Sequence, residues 1–404
     1  MPTRERHGWT GDAQLFAATA GYFFDYSAFA RKYVRMLSDE QKPSGKIPQI
    51  VPYGGVDFYM SPMDGCAGWS DAAIIIPYKM WRLLGDEQII TENLGMMKKY
   101  ADYTISKIGR WYPTSLPTGA VGKGKKYVIN YGQAYGEWAE PSDVKAMHWT
   151  DFITPKPEVS TAYASYVLRL MAEICEHLGD TDAERYRTYS ERLREGYIAL
   201  TKGNKHPLDT DRQARLVRPL YFGLLDGEDT EYARSRLIKA LDNYGWRVGT
   251  GFLSTPLILY VLGEIDIEYA YRLLENEQMP GWLFMPKNGA TTIWEAWEGN
   301  STPSRGIASL NHYSKGAVCE WIFSEMCGIK VAGEREFLIA PKVGGTLTYA
   351  SLGYDSVYGR VTSAWRRDNG TTTYTVSIPA NTTATVILPD GEHSLGTGKY
   401  EFKI

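Results

Sequence analysis

The chain has 404 residues, of which 44% are hydrophobic and 23% charged, enough for one large domain and a smaller one. Its 44 Lys and Arg against 47 Asp and Glu give a net charge of −3, which disfavours nucleic acid or an anionic membrane as partner. Four cysteines are too few for a disulfide framework and lack the paired spacing of a metal site. No apolar run approaches a membrane span and the charged N-terminus differs from a signal peptide, so we expect a cytoplasmic protein.

About the first 325 residues have the periodicity of paired helices. Within 163–178, apolar residues recur at the spacing of one buried helical face. A glycine followed by an acidic residue is typical of one helix ending and the next beginning. This pattern occurs at 84–86, 178–180, 226–228 and 262–264. Because no strands alternate with these helices, the sequence favours a helical barrel or solenoid over a parallel sheet.

Long loops rich in Gly, Pro and aromatic residues interrupt the helices at 41–68, 110–156, 203–211 and 277–309. Loops of this length within a compact domain are usually functional. A plain helical repeat scaffold is the alternative, but it would not need them. In a barrel of helix pairs, the loops at one end converge, so we expect them to form a single cleft.

From about Gly328 the pattern changes to short runs of β-branched residues. Asp368-Asn369-Gly370 is typical of a hairpin turn, and apolar residues alternate with polar ones over 374–378. The sequence therefore predicts a helical domain at 1–327 and a small antiparallel β-sandwich at 328–404 that packs against it.

The first twelve residues are dense in groups that can do chemistry. They contain two carboxylates, Glu5 and Asp12, together with the Arg4 guanidinium and the Trp9 indole. Each carboxylate also has a structural interpretation. Asp12 begins an apolar helix and is a candidate N-cap, and Glu5 lies between Arg4 and Arg6 as a solvated ion pair would.

A second candidate carboxylate is Glu295, which lies between Trp294 and Trp297 in a loop. Such an apolar setting suits acid–base chemistry, although an ordinary aromatic-packed loop has the same pattern. His312 follows just before a helix and is either a catalytic or a structural histidine. The sequence has no zinc-binding histidine motif, serine-hydrolase elbow or phosphate-binding loop.

Two further loops carry a tryptophan near a carboxylate. Trp69 precedes Asp71, a candidate N-cap, and Trp138 lies between Glu137 and Glu140. Either tryptophan could instead fill the core. However, two carboxylates with aromatic platforms are the equipment of glycoside hydrolysis.

Five motifs in chain order resemble the α-L-rhamnosidases of glycoside hydrolase family 78: R-E-R-x-G-W-T-G-D, G-W-x-D-A-A, Y-G-x-W, T-T-x-W-E-x-W and N-H-Y. The resemblance covers nearly all of the chain, including P-x-N-T-T-A-T-V in the β segment. It implies an (α/α)₆ barrel followed by a β-sandwich, and hydrolysis of terminal α-L-rhamnose from glycosides or oligosaccharides with inversion. It implies no metal and no cofactor.

The resemblance also implies roles for individual residues. Glu5 matches the general acid and Glu295 the general base. One carboxyl must then be protonated and the other ionised, with the two roughly 6.5 to 9.5 Å apart to leave room for water. Six more residues match substrate-binding positions: Arg4, Asp12 and His312 toward rhamnose hydroxyls, and Trp9, Trp69 and Trp138 as aromatic walls.

The chain departs from the family pattern at its start. The family motif reads D-C-P-x-R-E-R, whereas this chain begins Met1-Pro2-Thr3-Arg4-Glu5 and lacks the first Asp. The family's preceding β domains and first barrel helix are also absent, so we expect a barrel without that helix, with apolar faces exposed beside the gap. The missing N-terminal domains or a homo-oligomer would complete it.

Two alternatives to a rhamnosidase stay open at this point. The first is another inverting (α/α)₆ glycosidase, for example one acting on uronic acid sugars, which several Arg and Lys facing the substrate would favour. The second is a truncated, inactive carbohydrate-binding remnant with Glu5 displaced. A hydrophobic wall for the C6 methyl group favours rhamnose.

Overall fold

A computed structural model describes residues 6–55, 61–146, 148–152, 154–299 and 309–404. Within these residues, α-helices occupy the chain up to Trp321 and strands the chain after Gly328. The helices are α1 (Thr10–Phe23), α2 (Ser27–Asp39), α3 (Ala72–Leu84), α4 (Glu87–Ser106), α5 (Pro157–His177), α6 (Ala183–Thr201), α7 (Gln213–Phe222), α8 (Gly227–Asn243), α9 (Ile258–Ile265), α10 (Ile267–Leu274), α11 (Phe284–Lys287) and α12 (Cys319–Trp321).

Six helical segments form a closed inner ring. Its members are α1, α3, α5, α7, α9 and the segment 314–326, and α1 packs against both α3 and 314–318. The hydroxyl of Thr19 in α1 donates to the carbonyl of Ala317 at 3.2 Å, and the Tyr260 and Ser324 hydroxyls lie 2.8 Å apart. Among the described residues, α2, α4, α6, α8 and α10 pack outside this ring.

The ring segments are buried because of their composition. Helix α1 buries Ala17, Ala18, Ala20 and Gly21, whose small side chains let neighbouring helices approach closely. Outer helices are amphipathic instead: α2 buries positions 30, 33, 34 and 37, the spacing of a single helical face.

The glycine–acid pattern marks helix junctions at two of its four predicted places. Gly85 is left-handed with φ +69°, and Asp86 caps α4 through the Ile89 amide; Gly179, φ +67°, follows α5. The prediction at 262–264 is wrong, because Gly263 lies inside α9. At 226–228 the glycine begins α8, and the left-handed residue that ends α7 is Gly223.

The last ring segment is irregular, although its sequence predicts one continuous helix. It runs as a 3₁₀ turn at Ser314–Val318, then α12, then a π turn at Ile322–Met326. Single π turns are often found at functional sites. Ser314 and Lys315, at the start of this segment, are both fully buried.

Aromatic side chains are exposed where α1 ends and α2 begins. Phe23, Phe24 and Phe29 are 52%, 64% and 56% exposed. None of the described helices is long and apolar enough to cross a membrane.

The described residues contain eight strands: β1 (Ile329–Gly333), β2 (Glu336–Ile339), β3 (Tyr349–Ser356), β4 (Gly359–Asp368), β5 (Thr371–Ile378), β6 (Thr383–Leu388), β7 (Gly391–Leu395) and β8 (Gly398–Lys403). They form two four-stranded sheets, with orders β1-β2-β6-β7 and β3-β4-β5-β8. The pairs are antiparallel, as predicted, except that β2 runs parallel to β6. Asn369 and Gly370, with φ +48° and +83°, make the predicted hairpin turn.

The sheets pack against the helices through buried aromatic side chains. The Trp365 indole donates to the carbonyl of Met326 at 2.9 Å, and the Tyr22 hydroxyl donates to that of Ile329 at 2.8 Å. The predicted arrangement of a helical barrel followed by a β-sandwich is confirmed.

The α2–α4 contact provides a stability test. Asp86 caps α4 and accepts two hydrogen bonds from Arg31, at 2.7 and 2.6 Å, while buried. We expect Asp86→Ala to lower the free energy of unfolding by about 2 to 3 kcal/mol, because cap and charged hydrogen bonds are lost together. Chemical denaturation measures the change.

The matched control is Glu92→Ala, which removes an exposed pair with Arg35 at 3.8 Å. Its effect should stay within about 0.5 kcal/mol. Equal effects of the two substitutions would contradict the assigned role of Asp86.

Candidate active site

The candidate site lies at one end of the inner ring. Trp9 precedes α1, Trp69 precedes α3, and Trp138 belongs to the loop before α5. Glu295 and His312 precede the 314–326 segment. The loops therefore converge where these ring helices begin, as predicted. The candidates Arg4 and Glu5 lie outside the described residues.

Glu295 is buried and held at both carboxylate oxygens. Its Oε1 accepts a hydrogen bond from the Trp138 indole at 3.2 Å, and its Oε2 accepts one from the Ser309 amide at 2.8 Å. The backbone supports this, because the Glu295 amide donates to the Ser309 carbonyl at 2.9 Å. Two N–H donors suit an ionised carboxylate, which is only an acceptor. The tryptophan that binds Glu295 is thus neither of its sequence neighbours.

Asp12 and His312 form a second polar group. Asp12 Oδ1 lies 3.0 Å from His312 Nε2 and accepts from the Ser314 hydroxyl at 2.6 Å. All three residues are buried. Asp12 lies inside the first turn of α1 and the N-cap position is Trp9, so the N-cap interpretation of Asp12 is wrong. Its carboxylate instead joins the two ends of the helical ring.

Asp71 departs from its sequence interpretation in a similar way. It stands at the N-cap position of α3, but its side chain makes no capping bond there. It accepts instead from the Gly68 amide at 2.6 Å and from the Tyr100 hydroxyl at 2.8 Å. Burial raises the pKa of Asp71. The residue fixes the turn that carries Trp69.

Tyr135 connects the three candidate tryptophans. Its ring centroid lies 5.7 Å from that of Trp9, 4.7 Å from Trp69 and 5.9 Å from Trp138. Its hydroxyl donates to Gln49 Oε1 at 2.5 Å. Trp69 is buried, whereas Trp9, Tyr135 and Trp138 are half-buried. These four rings form an aromatic cluster, which we name the aromatic wall.

The structure explains why the first motif has a glycine at position 11. A Cβ atom at this position would lie 2.6 Å from Trp69 Nε1, which is closer than real contacts allow. Any larger residue would therefore push α1 away from Trp69.

Two buried ion pairs flank Trp138. Glu137 accepts from Arg218 at 2.5 Å and also from the Ser254 hydroxyl, and Glu140 accepts from Arg212 at 2.7 and 2.5 Å. Burial raises the pKa of Glu140, and the Arg212 pair opposes that rise. Burial alone would lower the pKa of Arg218, but Glu137 and nearby Glu158 raise it. The pairs thus fix the loop on both sides of Trp138.

Lys315 is a fully buried cation behind Glu295. Its Nζ donates to the carbonyl of Glu295 and, at 3.3 Å, to that of Ala139. The same nitrogen lies 4.5 Å from the ring centroid of Trp297 and 5.3 Å from that of Phe252. Lysine is rarely buried without such partners.

The structure thus brings together Glu295, Trp138, Trp69 and Trp9, and joins Asp12 to His312. Sequence reasoning missed three residues here: Tyr135, Ser314 and Lys315. Tyr135 begins the Y-G-x-W motif and Ser314 directly follows N-H-Y, so each residue carried a usable signal. The partners Arg212 and Arg218 carried no signal, because they belong to the loop before α7 and to α7 itself, distant in sequence.

Comparison with known proteins agrees with this arrangement. Residues 1–326 match the family described as the bacterial alpha-L-rhamnosidase 6 hairpin glycosidase domain, and residues 330–403 match the corresponding C-terminal domain. The chain belongs to the bacterial α-L-rhamnosidase family. The predicted family resemblance is therefore confirmed.

Named relatives in this rhamnosidase family are longer than the chain. An alpha-L-rhamnosidase of Streptomyces avermitilis is 31% identical over 95% of this chain and 35% of its own length. One of Formosa agariphila is 32% identical over 98% of this chain and 42% of its own length. The crystal structure of Streptomyces avermitilis alpha-L-rhamnosidase complexed with L-rhamnose has a TM-score of 0.81 at 28% identity, over 99% of this chain and 38% of that one.

The Arg218 contacts give a second stability test. This residue is 1% exposed and bridges the carboxylates of Glu137 and Glu158. We expect Arg218→Met to lower the free energy of unfolding by about 3 to 5 kcal/mol, because the buried Glu137 and the half-buried Glu158 carboxylates both lose a partner. Urea denaturation followed by circular dichroism measures this.

Arg234→Met is the control, since the pair that Arg234 forms with Glu231 in α8 is exposed. It should change the free energy of unfolding by less than about 0.5 kcal/mol. If Arg218→Met were equally mild, the ion pair would not be what fixes the Trp138 loop.

Proposed function

We propose that the protein is an inverting α-L-rhamnosidase that removes terminal α-L-rhamnose from glycosides or oligosaccharides. The observation that carries the proposal is the Glu295 carboxylate, buried and held by the Trp138 and Ser309 N–H groups. A carboxylate in this setting, beside the aromatic wall, suits a general base at a sugar-binding site. Family membership and the L-rhamnose bound by the Streptomyces avermitilis enzyme support the same substrate.

The proposed reaction is a single displacement at the anomeric carbon. Glu5 protonates the glycosidic oxygen, so the bond from C1 to that oxygen breaks and the aglycone leaves as an alcohol. Glu295 takes a proton from a water molecule whose oxygen bonds to C1 on the opposite face. The products are β-L-rhamnose and the free alcohol. The role of Glu5 stays a prediction, since it lies outside the described residues.

The remaining residues are proposed to bind the sugar. Asp12 Oδ1 and His312 Nε2 already lie 3.0 Å apart, and we assign both of these residues, together with Arg4, to rhamnose hydroxyls. Trp9, Trp69 and Trp138 supply the aromatic wall for the ring and the C6 methyl group.

The aromatic wall favours rhamnose over a uronic acid sugar. Uronic acids carry a carboxylate where rhamnose carries a methyl group, and four clustered rings offer that carboxylate no charged partner. The buried Arg218 and the half-buried Arg212 near Trp138 are already paired with Glu137 and Glu140. The alternative of an inactive binding remnant requires that Glu5 does not act as the general acid. Measured turnover of a rhamnoside would exclude this alternative.

Replacing the proposed base tests the function directly. We expect Glu295→Gln to lower release of p-nitrophenol from p-nitrophenyl α-L-rhamnopyranoside by more than about 1,000-fold, because no group then accepts the water proton. Circular dichroism should show unchanged folding, since the amide keeps the size of the carboxylate.

The matched control is Glu298→Gln, another buried carboxylate, which accepts hydrogen bonds from Ser142. It should cost less than about tenfold in turnover. Full activity of Glu295→Gln, or a greater loss of turnover in Glu298→Gln, would mean that Glu295 is not the general base. A wild-type chain that releases no p-nitrophenol would overturn the proposed function.

Product stereochemistry tests the inverting route separately. Proton NMR during hydrolysis should show β-L-rhamnose first, with the α anomer appearing only through slow mutarotation. Initial formation of α-L-rhamnose would mean retention and therefore a covalent intermediate.

A further inference from the structure

We infer that Lys315 is a positioning residue that holds the Trp138 indole against the carboxylate of Glu295. The inference rests on the proposed function, because it concerns the same general base. It assigns a role to a buried cation that touches neither carboxylate oxygen of Glu295 in the described contacts.

The first step is the pair of carbonyls that Lys315 joins. One belongs to Glu295 and the other to Ala139, the residue directly after Trp138. A single ammonium group therefore links the loop that carries the base to the loop that carries its indole donor. A hydrogen bond from a charged donor is stronger than a neutral one, which suits a link between two loops.

The second step is that the Trp138 loop needs such a link. Ala139 has φ +55°, a left-handed conformation that is unfavourable for a residue with a side chain. Its carbonyl accepts from Lys315, and the carbonyl of Trp138 accepts from the Phe252 amide at 2.8 Å. With the Glu137 and Glu140 ion pairs on either side, these bonds keep the peptide in this conformation.

The third step is that Lys315 is itself fixed. Its ammonium lies over the rings of Trp297 and Phe252, and its own carbonyl accepts from the Trp282 indole at 3.0 Å. The side chain has no exposed surface. Its contacts therefore set the distance between the two loops instead of following their movement.

The Trp138–Glu295 bond, at 3.2 Å, is long for an N–H···O bond. A small displacement of Ala139 would break it. Loss of the Lys315 ammonium should therefore act on catalysis through Trp138 and not as a general loss of packing.

The experiment is a double-mutant cycle of Lys315→Met with Trp138→Phe, measured on kcat and KM. Methionine keeps most of the lysine stem but has no ammonium, and phenylalanine keeps an aromatic ring but has no indole N–H. We expect Lys315→Met to lower kcat by about 10- to 100-fold in the wild-type background, but by less than about threefold when Trp138 is already Phe. An additive cycle would overturn the inference.

A spectroscopic measurement does not depend on activity. In protein with isotope-labelled tryptophan, the indole peak of Trp138 is the one among those of the 12 Trp residues that Trp138→Phe removes. In Lys315→Met this peak should shift and its proton should exchange faster with water. An unchanged peak would overturn the inference even in a chain without turnover, whereas absent turnover with the expected shift would count against the proposed function alone.

Lys107→Met is the matched control. Lys107 is also buried, donates to the Gly65 carbonyl at 3.2 Å and lies 4.9 Å from the ring centroid of Tyr103. Its loss should lower stability, combine additively with Trp138→Phe and leave the Trp138 indole peak in place. If Lys315→Met does not fold, Lys315→Gln takes its place, because its amide nitrogen is uncharged and lies one bond closer to the backbone than the ammonium, so it cannot hold the two carbonyls as lysine does. The same coupling and the same indole shift are then expected, and their absence would overturn the inference.

Discussion

The contact between Asp12 and the 312–314 segment is the constraint on which the site depends. The Ser314 hydroxyl reaches the Asp12 carboxylate from 302 positions along the chain. This bond and the nearby one from Thr19 to Ala317 close the ring of inner helices. Because every long loop of the site precedes a ring helix, closure of the ring decides where all of them point.

Burial of charge follows from that closure. Asp12, Glu295 and Lys315 each lie where water has little access, so each depends on fixed partners. These partners come from different helix pairs: His312 for Asp12, Trp138 for Glu295 and Ala139 for Lys315. A change in the packing of one helix pair therefore alters the hydrogen bonds of a charged group that belongs to another pair. This arrangement fixes the geometry of the site but makes it sensitive to substitutions in several helix pairs.

Much of the architecture could be predicted from the sequence, because helical periodicity, glycine turns and β-branched runs are local signals. Gly85 and the turn at Asn369 show how reliable such signals are where backbone sterics decide. Gly263 shows the limit of such local signals. It lies inside a helix, although its sequence neighbours resemble those of a glycine at a helix end. The motifs also placed Glu295 and Trp138 in the site, but not their contact with each other.

What could not be predicted is long-range. Asp12 has the sequence setting of an N-cap. Its contact with His312 exists because the 312–314 segment packs against the start of α1, far away in sequence. The arginines at 212 and 218 lie far from Trp138 in sequence and look like ordinary helix residues. Tertiary packing determines both roles.

The separation of Asp12 from Ser314 also affects how the chain can fold during synthesis. The ribosome must release nearly the whole helical region before the two ends of the ring can meet, so α1 emerges long before its partner. Until then, the Asp12 carboxylate lacks its partners His312 and Ser314, whereas α1 can already pack against α3. The contacts between Asp12 and residues 312–314 can therefore form only after the other ring helices have emerged.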